Sequence, residues 1–522
     1  MYGTFWSILP FLIVIPLSMI TRQVLPGLMV GLLVGSYMLH PSVLGGIQAT
    51  LAYILKELSV SDNLRLIVFL YGFGAFVGLV RVTGGVTGFT KWMETRIHSI
   101  RGAFAVTWLS SLITFMAPDF RIITVAPVMK QIFGKLNVPN SKVAFAIDVT
   151  STPFIALVPL GTAFVGYMVG LIATSMRHNA VASSAYHVFL VSIPFNFFSI
   201  VILLFGLYKT FFSKTDVRSS VKSGENSKDR PAKGSMQLAA ENRIRIVSQF
   251  ANAETASEFG ILSKKQNIQN SSHGKDPNED SFPDPVELVS EKIPPNMKNL
   301  SIPLFVLLSL TLFMTWWDGH FRAPSFLAAL ANANAAKAML EALLITLFFS
   351  IVWYIFQRQP ISRTMFGFLA GGNEMMGVIV LLVLVWSISA VSSDLGFTNY
   401  MERTIGHLVP PVFIAPVLFL FGCLISYVIG SSFGTWGMLL PLGFSLGTST
   451  HAYLPLIAGA VFASGTFGGF ASPLSDNTVA MATVMKLPLM QYANAKLKAS
   501  ILAVVVSAIL YAAVGFFLPK QI

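Results

Sequence analysis

Ala471-Ser472-Pro473-Leu474-Ser475-Asp476-Asn477-Thr478 interrupts an apolar region near the C-terminal end of the chain. The run places a proline, a carboxylate and several hydroxyl or amide side chains between two hydrophobic blocks, residues 453–470 and 479–490. Neither block comfortably spans a bilayer alone, because about 20 residues are needed, but together they do. We interpret the region as a membrane helix broken near mid-depth. Freed backbone groups and an acid at such a break are typical of an ion or substrate site in a secondary transporter.

The composition indicates a polytopic all-α membrane protein. Hydrophobic residues make up 54% of the chain, charged residues only 11%, and the mean hydropathy is +0.69. The apolar blocks are continuous rather than alternating, which favours helices over membrane strands. The single cysteine, Cys423, excludes an intramolecular disulfide and is expected to be a packing residue.

The net charge of +12 does not indicate a nucleic-acid partner. Residues 213–298 carry 13 Lys and Arg against 12 Asp and Glu, so the basic excess lies in the short loops of the remaining chain, where it sets membrane orientation. Arg22 follows the first apolar block, residues 5–20, which predicts a retained helix with its N-terminus outside.

A polar stretch divides the chain into two hydrophobic halves. Residues 213–298 are rich in Ser, Asn, Lys and Glu, and we predict a flexible cytoplasmic linker there, with a regulatory docking role as the alternative. Residues 1–212 and 299–522 are then the first and second transmembrane repeats. The motif GFTKWME, residues 88–94, recurs as GFTNYME, residues 396–402, which indicates internal duplication.

Charge and length together predict two inverted-topology repeats with both termini outside, and we expect the inner (plasma) membrane as the location. We expect about ten spanning helices, with broken helices at the midplane, plus two re-entrant hairpins. The spans are residues 5–20, 24–39, 63–82, 143–174, 187–212, 300–317, 338–356, 375–393, 453–490 and 498–518, and the hairpins are residues 102–134 and 412–447.

The first half contains a counterpart of the opening run. Ile147-Asp148-Val149-Thr150-Ser151-Thr152-Pro153 again combines a carboxylate, hydroxyls and a proline inside an apolar block. Oxygen ligands of this kind suit a hard cation such as Na⁺, so we predict a sodium site at Asp148 and Asp476. Helix capping and local hydrogen bonding remain the alternatives. The predicted ion or substrate ligands at the two breaks are Asp148, Thr150, Ser151, Thr152, Ser472, Ser475, Asp476, Asn477 and Thr478.

The hairpin tips supply further candidates. At the first tip, Asp119 and Arg121 either pair with each other, or Arg121 faces an anionic substrate. At the second tip, Ser431, Ser432 and Thr435 either bind the substrate or form a tight turn of small residues.

Other function classes receive less support. Gly430 to Gly434 match the G-x-S-x-G pattern of hydrolases, but that pattern requires a strand-to-helix turn with His and Asp partners. The eight histidines show no ligand-like spacing for zinc. A sensor or scaffold would use the central linker as its output.

Several motifs make the chain similar to the NhaC-type sodium/proton antiporters of the ion transporter superfamily. They are Arg101-Gly102-Ala103, VAPVMKQIFGKLNV (125–138), KVAFAIDVTSTP (142–153), WSISAVSSDLGF (386–397), GSSFGTWGMLLPL (430–442) and AGAVFASGTFGGFASPLSDNT (458–478). The resemblance implies inverted repeats, crossed broken helices and alternating access. Asp148 matches the acid of the family element I-D-S-T-A-x-P, and Asp476 that of S-P-x-S-D-T-T.

The first hairpin tip departs from the family pattern. Members usually carry F-D-D-Y-x-N there, whereas this chain reads Met116-Ala117-Pro118-Asp119-Phe120-Arg121. If that tip binds Na⁺ or protons in the family, this change alters the ion or the coupling. The resemblance as a whole implies Na⁺/H⁺ antiport without a resident cofactor, in which Asp148 and Asp476 bind either a proton or a cation. The alternative is an ion-coupled exchanger of organic anions or amino acids, as in family relatives that exchange malate for lactate, with Arg121 as a clamp. Partners are the small ion or solute and the bilayer, and a homodimer is compatible with the sequence.

Overall fold

The computed structural model describes residues 3–94, 99–181, 183–212, 294–321, 323, 325–404 and 410–517. Within these ranges the regular structure is entirely helical. The helices of the first half are α1 (Leu9–Thr21), α2 (Val24–Leu39), α3 (Val43–Leu58), α4 (Ser61–Val82), α5 (Gly85–Glu94), α6 (Ile100–Leu109), α7 (Ser111–Thr114), α8 (Pro118–Lys135), α9 (Asn140–Val149), α10 (Thr152–Ile155), α11 (Ala163–His178), α12 (Ala185–Ser192) and α13 (Phe197–Phe211).

The second half begins after a segment that lies outside the described residues, and this segment includes residues 213–293 of the predicted linker. Its helices are α14 (Lys298–His320), α15 (Phe326–Asn332), α16 (Ala335–Phe356), α17 (Ile361–Glu374), α18 (Met376–Asp394), α19 (Phe397–Thr404), α20 (Pro411–Ile429), α21 (Ser432–Ser449), α22 (Leu454–Ala471), α23 (Asp476–Met485) and α24 (Leu489–Phe517). The linker and the repeat boundaries stay predictions.

The described helices make the protein a multi-pass membrane protein. Seven of them, counting nearly continuous pairs as one, are long and apolar enough to cross a bilayer, and nine if two bent pairs are each one span. The bent pairs are α2 with α3, at 117°, and α12 with α13, at 42°. The all-helical class is thus confirmed. The exact number of spans, the re-entrant hairpins and the orientation of the termini stay predictions.

Helix α3 was not predicted from the sequence, where residues 43–58 belong to no predicted span or hairpin. Ser42 caps its start by accepting a hydrogen bond from the Gly45 backbone N–H at 3.0 Å. The helix carries Lys56 and the buried Glu57 in its last turn, so its apolar pattern is too interrupted to be recognised as a span.

The elements follow a similar order in the two halves. Helices α4 and α18 each end in a turn at a glycine with φ of 78°, Gly84 and Gly396, and a short helix follows each. A broken helix comes next in both halves, after α6, α7 and α8 in the first half and after α20 and α21 in the second. The turn glycine precedes GFTKWME by four residues but begins GFTNYME, so the two copies of the motif lie about one helical turn out of register.

Helix α22 lies at the centre of the bundle. All 18 of its residues are buried, and it packs against α20, α21 and α24. Its sequence is rich in Gly, Ala and Ser, which lets neighbouring backbones approach closely. The two broken helices, α9–α10–α11 and α22–α23, contact each other, since α10 packs against α22 and α9 packs against α23.

Candidate functional site

The first break lies between α9 and α10. Asp148 is only 3% exposed, and Thr150, Ser151 and Thr152 are at most 2% exposed. The hydroxyl of Thr150 donates to the carbonyl of Ala146 at 2.8 Å, and that of Ser151 donates to the carbonyl of Ile147 at 2.8 Å. These hydroxyls hydrogen-bond backbone carbonyls in the last turn of α9, so capping, the alternative to ion binding, accounts for part of their role. The carboxylate of Asp148 is left to partners from another helix.

The second break lies between α22 and α23. The hydroxyl of Ser475 donates to the carbonyl of Gly469 at 2.6 Å, and that of Ser472 to the carbonyl of Tyr427 at 2.7 Å. Both serines thus hold the backbone of the break in place. Thr478 is completely buried, in the first turn of α23.

Lys496 joins the two breaks. Its Nζ donates to Asp148 Oδ2 at 2.8 Å and to Thr478 Oγ1 at 2.9 Å. The hydroxyl of Tyr492 donates to the same Asp148 oxygen. A second link runs from Asn477 Nδ2 to Thr152 Oγ1 at 2.9 Å.

Two aromatic rings also lie close to the Lys496 ammonium. Its Nζ lies 5.1 Å from the ring centre of Phe470 and 4.6 Å from that of Tyr492. Cation–π contacts of this kind, together with the carboxylate, compensate a charge that is removed from water. A buried acid and a buried base therefore share one small compartment at the junction of both broken helices.

Lys496 and Tyr492 are not among the site residues predicted from the sequence. The predicted spans end at residue 490 and begin again at residue 498, which places both residues in a connection, whereas α24 begins at Leu489. The signal available was their spacing of four residues directly before an apolar block, which places both side chains on one helix face.

Arg121 at the first hairpin tip is fully buried. Its Nη1 donates to Ser110 Oγ at 3.0 Å and Thr114 Oγ1 at 2.7 Å, and its Nη2 donates to the Thr107 carbonyl and to Thr150 Oγ1, both at 2.7 Å. Its Nε lacks a hydrogen-bond partner among the described residues.

The structure does not pair Arg121 with Asp119, which is one of the two alternatives for this tip. Asp119 is exposed in the first turn of α8, and the four hydrogen bonds of Arg121 all go to neutral groups. The terminal nitrogens are already used, so the guanidinium braces the hairpin against Thr150 and has only Nε–H left for a solute. Its positive charge nevertheless remains uncompensated by any carboxylate within 4 Å in the described part of the chain.

The two predicted sodium ligands differ in their surroundings. Asp148 is buried, whereas Asp476 is exposed at the start of α23. The described residues contain no group of three or more His, Cys, Asp or Glu side chains placed to hold a metal ion. A cation at the breaks would therefore take one buried carboxylate together with hydroxyl, amide and carbonyl oxygens, which is a donor set that Na⁺ accepts.

The second hairpin tip contacts α22. Ser431 caps α21 by accepting from the Gly434 backbone N–H at 3.1 Å, and Thr435 donates to the Ser431 carbonyl at 2.9 Å. Ser432 donates to the carbonyl of Gly465, in the middle of α22, at 2.9 Å. Capping thus accounts for Ser431, while Ser432 fixes the tip beside the second break.

Comparisons with known proteins agree with a transporter. The model of the Na⁺/H⁺ antiporter family matches residues 155–516, a region that contains the second break and Lys496 and begins shortly after Asp148. An uncharacterised protein of Haemophilus influenzae is 22% identical over 98% of this chain and 91% of its own length.

Two further proteins are informative. The malate-2H⁺/Na⁺-lactate antiporter of Bacillus subtilis is 38% identical over 109 residues, which are 20% of this chain and 23% of that protein. The solved structure of MtrF from Neisseria gonorrhoeae, described within a class of antimetabolite efflux pumps, has a TM-score of 0.57 at 15% identity and covers 91% of this chain and 85% of that one. The structural likeness shows a shared fold, and the family match confirms the resemblance drawn from the motifs.

Proposed function

Because this chain belongs to the Na⁺/H⁺ antiporter family, we propose that it is a secondary active transporter that exchanges Na⁺ for H⁺ by alternating access. The observation that carries the proposal is the contact between Lys496 and Asp148. The ammonium occupies the carboxylate oxygen that a sodium ion would need. The two cations therefore compete for one anionic site.

Charge makes this competition strict. Asp148 with protonated Lys496 is neutral, and so is Asp148 with Na⁺ and an unprotonated Lys496. Both cations together, or neither, leave an unpaired charge that is expensive in a buried site. The two low-energy states thus differ by one proton and one Na⁺, which is the requirement for coupled exchange.

Further ligands belong to the same proposal. Thr478 and Tyr492 already contact the pair, and Thr150, Thr152 and Asn477 lie in or between the breaks. We propose that Asp476 serves as a second cation ligand, at the exposed side of the second break. Na⁺ and H⁺ are cargo in this scheme, and no resident cofactor is part of it. We also propose the plasma membrane as the location, with both termini outside.

The experiment is a proteoliposome assay with the purified protein and an internal pH-sensitive dye. Sodium, potassium, malate, lactate and amino acids are added in turn against a proton gradient. Proton flux with Na⁺ alone supports the proposal. Asp148→Asn should abolish this flux, while Asp62→Asn, which removes an exposed carboxylate in an ion pair with Arg65, should retain it. Full activity of Asp148→Asn would refute the assigned site.

A second candidate is an ion-coupled exchanger of organic anions or amino acids. Arg121 favours it, because Arg121, Lys496 and Asp148 together carry one net positive charge in a buried region. A carboxylate on the solute would neutralise that charge. Proton flux that requires malate, lactate or an amino acid, and that stays absent with Na⁺ alone, would decide for this candidate.

A further inference from the structure

Two recesses lie at related places in the fold, each lined by residues from both halves of the chain. The lysine recess, between α8 and α23, has a volume of about 670 Å³ and is lined by Pro127, Lys130, Gln131, Gly134, Lys135 and Val484. The serine pocket lies between α11, α18 and α21 and has a volume of only about 20 Å³. Its polar lining includes Ser175, His178, Asn179, Ser389, Ser392 and Ser445.

The two recesses are built from equivalent elements. Helices α8 and α21 are the second arms of the two predicted hairpins, and each lines its recess with a proline nine residues after its first residue, Pro127 and Pro441. Helices α23 and α11 are the outer segments of the two broken helices. One recess is wide and the other almost closed.

Side-chain contacts hold each pair of helices together. Lys130 donates to the Val484 carbonyl at 2.7 Å beside the lysine recess. Beside the serine pocket, Thr448 donates to Asn179 Oδ1 at 3.4 Å. Phe11 and Phe397, with ring centres 5.2 Å apart, also line this pocket and cover it.

Three hydroxyls of the serine pocket have no hydrogen-bond partner among the described residues. They belong to Ser175, Ser392 and Ser445, each about 1% exposed and each on a different helix. The neighbouring Ser389 shows the usual alternative, since its hydroxyl donates to the Val385 carbonyl at 2.7 Å. An unsatisfied buried hydroxyl costs about 1–3 kcal/mol. Three such hydroxyls in one pocket need hydrogen-bond partners, and the described residues offer none in this closed conformation.

Water supplies that explanation. A cavity of this size admits about one water molecule, and a modest separation of α18 from α11 and α21 would admit more. We propose that the serine pocket is a second aqueous entrance to the transport site, closed in this conformation, which opens to water when the lysine recess closes. The inference rests on alternating access, the part of the proposed function that both candidate solutes share.

Cysteine labelling tests the entrance directly. Cys423→Ala removes the one native cysteine, and Ser175→Cys, Ser392→Cys and Ser445→Cys are then introduced singly. A charged, membrane-impermeant thiol reagent is applied to right-side-out and to inverted vesicles, with and without Na⁺, malate or lactate. The matched control is Ser350→Cys. Ser350 is fully buried in α16, and its hydroxyl donates to the Thr346 carbonyl at 2.7 Å. Gln131→Cys reports on the lysine recess.

The pocket cysteines should react from one face only, about ten-fold faster than the control once the open state reaches several per cent. Gln131→Cys should react from the opposite face, and conditions that speed one should slow the other. Labelling of all three at the control rate under every condition would overturn the proposal, as would parallel changes at both recesses.

Amide hydrogen exchange of the unmodified protein provides a second measurement, which does not depend on the variants. Amides of residues 172–179 and 441–448 should exchange faster under conditions that slow exchange of residues 127–135. Changes in the same direction would contradict the proposal. Because neither measurement requires the cargo to be Na⁺, failure of sodium exchange and failure of the entrance are distinguishable.

Discussion

Lys496 Nζ lies 2.8 Å from Asp148 Oδ2, and the two side chains are only 1% and 3% exposed. They come from the last described helix, α24, and from the first broken helix, α9. The pair therefore connects the two halves of the chain at a point where water is excluded. A buried ion pair of this kind tolerates the loss of both charges better than the loss of one.

The first prediction concerns stability. Lys496→Met should lower the free energy of unfolding by about 3–5 kcal/mol, because it leaves Asp148 buried and unpaired. The double variant Asp148→Asn, Lys496→Met should recover most of that loss. Thermal unfolding of the purified protein in detergent measures both. Lys498→Met, an exposed lysine two residues further along α24, is the matched control and should unfold like the parent. Equal effects at positions 496 and 498 would contradict a buried pair.

The second prediction concerns pH. Na⁺ can take the place of the ammonium only after Lys496 has lost its proton, so raising the pH should strengthen Na⁺ binding. While Lys496 is mostly protonated, the apparent Na⁺ affinity should rise about ten-fold per pH unit. The measurement is the Na⁺ concentration dependence of transport, or of thermal stabilisation, at a series of pH values. In Lys496→Met the slope should disappear, and an unchanged slope there would show that another group carries the proton.

The breaks were predictable from sequence because proline, acid and hydroxyls interrupt apolar blocks at Asp148 and at Asp476. The partner of Asp148 was not. Lys496 lies at the start of an apolar segment, where a lysine more often flanks a membrane span. Only the structure shows that its ammonium contacts the Phe470 ring and Thr478. Local pattern thus located the broken backbone, while the ion pair depends on helices far apart in the chain.

Arg121 shows a second limit of the sequence. A cation beside an acid at a hairpin tip suggests an ion pair or a substrate clamp. The fold instead turns the side chain inward to Ser110, Thr114, Thr107 and Thr150. Ser110, Thr114 and Thr107 belong to no motif recognised in the sequence. Thr150 belongs to one, but nothing in that motif predicts a contact with an arginine 29 residues earlier in the chain.

The third prediction tests this brace. Thr150→Val keeps the shape of the side chain but removes the acceptor of Arg121 Nη2, and should lower the free energy of unfolding by about 1–3 kcal/mol. Ser151→Ala is the control, because that hydroxyl bonds only the Ile147 carbonyl of its own helix. It should cost clearly less. Denaturation of both variants under the same conditions provides the comparison, and a larger loss for Ser151→Ala would argue against the brace.

The fourth prediction concerns the close packing of α4 against α17. Gly74 and Gly78 on α4 face Gly367 and Gly371 on α17, and a Cβ atom at Gly371 would meet the Gly74 carbonyl and lie 2.8 Å from the Gly78 Cα. Backbone atoms cannot move aside as a flexible side chain can, so the two helices would have to separate.

Gly371→Ala should therefore lower the free energy of unfolding by about 1–3 kcal/mol. Gly377→Ala, six residues further along, has open space around the added Cβ, and alanine is the better helix former by up to about 1 kcal/mol. Its thermal unfolding temperature should stay the same or rise. Since both substitutions add one methyl group to a helix, any difference between them measures the approach of α4. If the two variants unfold alike, then the glycines are not what allows these helices to pack.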